Sequence, residues 1–271
     1  MEHHNSILTV LLNKLIGPQV AALLHALGVH PHDPANPIPE HVVMGMLVVV
    51  LGMAVTLWLK GRLSIERPGA TQQVVEMLLT NPLGAGIRDL LDENAGHHGR
   101  QFVPVVGSIT IFILLSNLLS VVPIFTSPTG NATVPLACAI LTFLYFNWQG
   151  IKHHGPMGYL KHFCGPIWWL APLIFPVEII STTARVLSLT VRLWANMFSS
   201  ELLYFIFLGL LMGPANAAMH KSPMLGVIVG ILPATLPILF ILLHVFVAVI
   251  QSFVFTILPS IYLGMATAEE H

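Results

Sequence analysis

Charge is what this sequence has least of: 11 basic and 12 acidic side chains in 271 residues, 8% of the chain, against about 25% in soluble domains. With a mean hydropathy of +0.81, that scarcity excludes water as the main solvent of the fold and leaves an integral membrane protein. Basic clusters are missing too. The net charge is −1 and no polybasic block occurs, so nothing in the chain is built to hold nucleic acid. Only two cysteines are present, Cys138 and Cys164, with no CxxC spacing; both read as packing residues rather than disulfide or metal partners. The opening MEHHNS lacks the basic n-region of a cleavable signal, and the apolar stretch from Ile7 to Leu27 is interrupted by Asn13, Lys14 and Pro18, which reads as an interfacial helix. His3, His4, His30 and His32 are scattered along a Pro-rich edge without an i,i+4 frame, so they read as a solvated terminus and not as a metal site. No metal or cofactor is expected.

What the chain does have is apolar runs long enough to cross a hydrocarbon core of about 30 Å. They predict an all-α integral membrane protein of about five membrane-embedded helices plus interfacial amphipathic helices. An N-terminal extracytoplasmic or interfacial segment, 1–40, is followed by a single membrane domain, 41–271, with crossings at about 41–59, 103–123, 134–148, 167–213 and 224–266. Residues 71–93 place Val74, Val75, Leu78, Leu79, Leu83, Ile87, Leu90 and Leu91 among polar residues, a stripe too polar to span and suited to the membrane surface. Pro82 and Gly84 should bend it. The uncharged turn SPTGNATVP closes a hairpin between the second and third crossings, a His-containing basic loop covers 147–166, and GPANAAMHKSP separates the last two. At about 1.5 Å per residue those two are longer than a perpendicular crossing needs, so they should be tilted or bent antiparallel neighbours. Pro172, Pro176, Pro233, Pro237 and Pro259 supply bending points.

Lys and Arg residues orient the chain. With the N-terminus outside, Lys60, Arg62, Arg67, Arg88, Arg100, Lys152 and Lys161 lie on the cytoplasmic side, and only Lys14 and Lys221 lie outside. That asymmetry predicts an N-out, C-in multi-pass protein.

The remaining two cations, Arg185 and Arg192, sit inside the fourth apolar stretch with Glu178 and Glu201, and His244 is the histidine deep in the fifth. A charge at the centre of a membrane helix costs roughly 2.5–3.5 kcal/mol, so these residues are the functional candidates. On a helix stepping about 100° per residue, Glu178, Arg185, Ser188, Asn196 and Ser199 fall on the same side as Arg192, and Glu201 on the opposite side. His244 and Gln251, seven residues apart, also share a face. In an antiparallel hairpin, facing positions have a constant total of residue numbers. Arg192 with Gln251 gives 443 and Glu201 with His244 gives 445, which predicts an Arg–Gln level and a Glu–His level about 13 Å nearer the outside. The residues alone leave two readings. Ser188, Asn196 and Ser199 suit interhelical glue as well as an ion path. Arg192, which has no acid within one turn and cannot lose its proton, calls for a partner from another subunit or a passing charge, whereas Glu201 and His244 can titrate and suit a proton relay.

The run RVLSLTVRLWANMFSSELL, with QSFVFTILPSIYLGMATAEEH at the end, NLLSVVP at 117–123 and SPTGNATV at 127–134, resembles the a subunit of the bacterial F-type ATP synthase from about residue 40 onward. Trp194 and Ala195 stand where Phe and Gly are more usual, and Ser120 where Gly or Asp is. The resemblance implies a stator subunit of the bacterial plasma (inner) membrane, with no catalytic chemistry of its own. It would carry protons through two offset half-channels to a rotating c-subunit ring, beside b-type peripheral stalk subunits, membrane lipid and the rest of the synthase. By that similarity Arg192 faces the ring and separates the channels, Asn196, Glu201, His244 and Gln251 belong to the outer half-channel, and Glu178 and Ser188 to the inner one. A secondary transporter would share broken helices and midplane charges, but no paired internal repeat is visible; a purely structural anchor would need no Glu–His relay.

Overall fold

A computed structural model describes residues 6–28, 36–64, 68–80, 86–96, 99–122, 125–164, 168–221 and 223–267, with the backbone alone described at 160–164, 168, 208, 211, 215, 216, 221, 223 and 225–237. Among the described residues there is no strand. Eight helices follow in order: α1 (Ile7–Ala26), α2 (Glu40–Lys60), α3 (Ala70–Leu79), α4 (Ile87–Ala95), α5 (Gly99–Leu119), α6 (Thr133–Cys164), α7 (Ala171–Lys221) and α8 (Pro223–Thr267). Six of them are long and apolar enough to cross a membrane. Leu15, Leu57, Ile180 and Leu242 are each about two-thirds exposed, a surface that only hydrocarbon or another apolar partner would tolerate. The protein is an all-α, multi-pass membrane protein.

Several boundaries differ from those expected, for local reasons. α1 reaches crossing length because its interruptions are absorbed: Ser6 caps the helix by accepting from the Thr9 amide, and the buried Asn13 side chain donates to the Ile38 carbonyl at 3.0 Å while accepting from the Ile38 amide at 2.9 Å. α5 starts and stops about four residues early; at its end the Ser120 hydroxyl donates to the Asn117 carbonyl at 3.0 Å in the closing turn, ahead of Pro123, whose predecessor is biased away from helix. α6 runs through most of the expected loop 147–166. Gly155, at φ 72°, breaks it. Beyond that kink Tyr159 folds back to donate to Asn147 Oδ1 at 3.1 Å, over Gly150, where a methyl group would overlap its ring. The segment 214–221 belongs to α7 rather than to a loop.

The amphipathic stretch 71–93 becomes two helices, with 81–85, including Pro82, Leu83 and Gly84, outside the described residues. They differ in role. α3 leaves Val74, Met77 and Leu78 exposed and is tied down by Gln72, which exchanges two hydrogen bonds of 3.0 Å with the backbone of Ser64. α4 buries its apolar side instead. His3, His4, His30, His32 and Arg67 also lie outside the described residues, as do the side chains of Lys161, Cys164, Lys221, Pro233 and Pro237.

The chain forms two compact units. Unit 1 is drawn from Met1–Leu51, Leu115–Val134 and Ala195–Ala248, and unit 2 from Gly52–Leu114, Pro135–Trp194 and Val249–His271. Unit 2 has a core of Ile87, Leu91, Phe102, Val106, Phe146 and Leu263. Its packing is cross-braced by Thr110 with Thr256 at 2.8 Å and by Asn94 Nδ2 donating to Ser260 Oγ at 3.2 Å, so α4 and α5 are fixed to α8. In unit 1, Val43, Met44, Val48, Met197 and Ala248 are buried.

The α4–α8 contact in unit 2 depends on Gly264, where an added methyl group would overlap the Asn94 carbonyl. Gly264→Ala should therefore destabilise the detergent-solubilised protein by about 1–3 kcal/mol, measured as the unfolding midpoint. Gly209→Ala, where a methyl group meets open space, should leave that midpoint unchanged or raise it.

Candidate functional site: polar groups along an apolar helix

α7 has two faces. Leu189, Leu193 and Met197, four residues apart, are buried, while Ser188, Arg192, Asn196 and Ser199 are exposed. The stripe expected from the 100° step is thus an outward polar edge on an otherwise apolar helix. Arg192 pairs with no carboxylate among the described residues. Within unit 2 its backbone carbonyl accepts from the side chain of Gln251 at 3.5 Å, a long bond from a residue only 3% exposed. Gln251 is thereby set opposite Arg192, as the numbering total of 443 requires, but it meets the backbone and leaves the guanidinium outward.

Unit 2 also holds Glu178 and Arg185, with Arg185 Nη2 at 3.7 Å from Glu178 Oε1. The Arg185 guanidinium lies over the Tyr262 ring, 4.8 Å from its centroid, a cation–π contact that holds the head in place. The pair borders a cavity of about 170 Å³, lined also by Thr182, Tyr159 and Met265. A space of that size with a carboxylate, a guanidinium and hydroxyls on its wall has room and partners for several waters.

Unit 1 contains a different kind of site, a connected set of hydrogen bonds around the turn 120–134. Glu201 Oε1 accepts from the Ser127 amide at 3.3 Å. Gly130 allows this approach, since a methyl group there would stand 3.2 Å from Glu201 Oε2. Ser127 and Thr129 share a hydroxyl–hydroxyl bond of 2.6 Å, the Ser127 hydroxyl also lies 3.1 Å from the Ser116 carbonyl, and the Thr129 hydroxyl donates to Asn117 Oδ1 at 2.6 Å. The Asn117 carbonyl in turn lies 3.1 Å from His244 Nε2. The same ring nitrogen is 2.8 Å from Ser120 Oγ, and the other, Nδ1, is 2.6 Å from Ser200 Oγ. Residue by residue these bonds connect Glu201 to Ser200, by way of the Ser127 backbone amide, the Ser127 and Thr129 hydroxyls, the side chain and backbone carbonyl of Asn117, and the His244 ring.

Two adjustments to the expected register follow. His244 faces Ser200 rather than Glu201, a total of 444 instead of 445, because adjacent residues on a helix point about 100° apart. Glu201 and His244 make no direct ion pair among the described residues; the turn 127–130 takes the carboxylate. Six residues of this network, Ser116, Asn117, Ser120, Ser127, Thr129 and Ser200, were not singled out by charge or titration. For Asn117, Ser120, Ser127 and Thr129 the signal was the density of small polar residues in NLLSVVP and SPTGNATVP, read only as a hairpin turn and as family motifs; Ser116 and Ser200 lie outside both segments.

The chain matches the family model described as ATP synthase A chain over residues 42–264. It belongs to that family. A similar protein, ATP synthase subunit a of Koribacter versatilis, is 33% identical over 268 residues, covering 99% of both chains. ATP synthase subunit a of Desulfosudis oleivorans is 42% identical over 224 residues, 82% of this chain and 86% of that one. ATP synthase subunit a 1 of Syntrophotalea carbinolica is 40% identical over 231 residues, 85% and 87% of the two chains. Membership of the family makes this chain a component of the F0 sector of an ATP synthase, with a role in proton transport.

The register of unit 1 is open to test by crosslinking. In a chain with Cys138 and Cys164 replaced by Ala, cysteines in place of Ser200 and His244 should be joined by a short bis-thiol reagent faster than cysteines in place of Glu201 and His244. Peptide mass spectrometry reads the yields. The opposite order would put Glu201, and not Ser200, opposite the ring.

Proposed function

We propose that this chain is the membrane stator that carries protons through two offset aqueous half-channels to and from carboxylates on a rotating c-subunit ring, so that ion flow is coupled to rotation. The observation that carries this reading is the exposed Arg192 on the outward polar edge of α7. A guanidinium keeps its proton at any accessible pH, and exposure to lipid would cost it several kcal/mol. Its natural counterpart is an anion presented by another subunit. A deprotonated rotor carboxylate has the matching problem, since it too is unstable against hydrocarbon. Each carboxylate therefore meets either Arg192 or a proton before it turns into lipid. The fixed cation also blocks a direct proton leak between the channels. The driving force is about 2.3 kcal/mol per charge per 100 mV, and it is usable only without such a shortcut.

Glu178 and Ser188 serve the inner half-channel. Support comes from the polar-lined cavity that Glu178 borders with Arg185 and from the exposure of Ser188. Asn196, Glu201, His244 and Gln251 serve the outer one. Support comes from the placement of Glu201 and His244 at one polar turn, where Ser127, Thr129 and Asn117 hold them with hydroxyls and backbone groups. Glu178 precedes Arg192 by 14 residues and Glu201 follows it by 9, so the two titratable acids flank the arginine along the chain. The membrane is a bacterial plasma (inner) membrane, with the N-terminus outside and the C-terminus cytoplasmic, in line with seven Lys and Arg residues assigned to one side and two to the other. In that topology α1, despite its crossing length, lies at the outer interface. The c ring and b-type peripheral stalk subunits are the direct partners.

Arg192→Ala should abolish both ATP synthesis and ATP-driven proton pumping in membranes while the chain still inserts, because Arg192 is exposed and no packing is lost. Arg192→Lys should also fail substantially, since an ammonium lacks the planar fork and can give up a proton. Coupled synthesis at the parental rate in Arg192→Ala membranes would refute the assignment.

A further inference from the structure

The two ring nitrogens of His244 face partners of different kinds. Nε2 lies 3.1 Å from the Asn117 carbonyl oxygen, a group that can only accept. It also lies 2.8 Å from Ser120 Oγ, whose own proton goes to that same carbonyl at 3.0 Å. Ser120 is left with lone pairs toward the ring. The carbonyl can bond Nε2 only through a proton on that nitrogen, and with the Ser120 proton on the same carbonyl all three groups are satisfied together, so this side favours the Nε2–H form. On the other side, Nδ1 meets Ser200 Oγ at 2.6 Å, a hydroxyl that can donate or accept. With Nε2 protonated, a neutral ring has its lone pair on Nδ1, and Ser200 donates to it.

We propose that the Asn117 carbonyl and Ser120 hold His244 in its Nε2–H form, and that the ring loads and unloads its exchangeable proton through Nδ1 alone, with the Ser200 hydroxyl as carrier. This rests on the reading of His244 as part of the proton path. In loading, a hydrated proton from the aqueous path bonds to Ser200 Oγ as the existing Oγ–H bond breaks toward Nδ1. Hydronium becomes water, imidazole becomes imidazolium, and Ser200 ends neutral with one proton as before. Unloading is the reverse. The Nε2 side is closed to traffic, because a proton leaving there would have to push the Ser120 proton onto a peptide carbonyl, a far weaker base than imidazole. His244 is then a store filled and emptied at one atom, not a wire that takes a proton at one nitrogen and releases it at the other. The surroundings agree with this. His244 and Asn117 are buried whereas Ser200 is half-buried, and one Glu201 carboxylate oxygen accepts from the Ser127 amide rather than from the ring. Ser120 and Asn117 are positioning groups; Ser200 is the one that handles the proton.

Two measurements on the reconstituted ATP synthase membrane sector test this. One is passive proton flux at fixed potential. The other is nitrogen NMR of imidazole-labelled histidine at a pH where the ring is neutral, with the His244 signals identified by their loss in His244→Asn. His244 should show a protonated Nε2 and a bare Nδ1. Ser200→Ala should lower the flux at least about tenfold with the tautomer unchanged, and Ser200→Thr, which keeps the hydroxyl, should restore most of it. Ser120→Ala should raise the share of the Nδ1–H form. A bare Nε2 in the parent protein overturns the inference whatever the flux. So does parental flux in Ser200→Ala when His244→Asn is slow. Parental flux in His244→Asn instead sinks the proton-path reading, and with it the carrier role of Ser200, while the tautomer is decided by the NMR alone.

Discussion

In a hydrocarbon solvent no water stands ready to satisfy a polar group, and the architecture of this protein follows from that constraint. Backbone groups meet it by forming helices. Side chains meet it in two ways: by pairing inside the fold, or by marking a place where water or another charge arrives. Asn13 against the backbone of Ile38 and Thr110 against Thr256 are of the first kind. Arg192, outward on α7 with no carboxylate among the described residues, is of the second. The difference between the two kinds separates structural from functional polarity here more sharply than residue type does.

α7 shows how one helix serves several demands. Its buried row of Leu189, Leu193 and Met197 supplies packing, and its outward row of Ser188, Arg192, Asn196 and Ser199 supplies polarity. Glu178 and Arg185 pair at its earlier end in unit 2, and Ser200 and Glu201 turn to different partners in unit 1. Since neighbouring positions point about 100° apart, adjacent residues have separate tasks. Ser200 meets the imidazole while Glu201 meets the turn. The turn 127–130 accordingly does more than reverse the chain: its amide and hydroxyls extend the polar network between a carboxylate and a histidine. The exposed, fixed charge of Arg192 and the titratable groups, half-buried Glu201 and buried His244, are thus chemically distinct, which suits the separate roles proposed for them.

The fold class, the positions of the main apolar helices and the polar face of α7 were legible in the sequence by itself. These depend on hydropathy over long windows and on the 3.6-residue period, and both are local properties that neighbouring elements do not alter. The opposition of Arg192 and Gln251 was legible too, from numbering alone. Tertiary structure decided where the helices end and which atoms meet. α6 continues through a stretch that composition marks as loop until Gly155 breaks it, and α4 buries a face that looks no different in sequence from the exposed face of α3. The partner of His244 moved by one residue, to Ser200, and the small hydroxyls of the turn became a network. Those outcomes depend on which backbone groups come within about 3 Å of one another. A periodic pattern gives a side chain its direction, whereas its partner is set by segments more than 40 residues away in the chain.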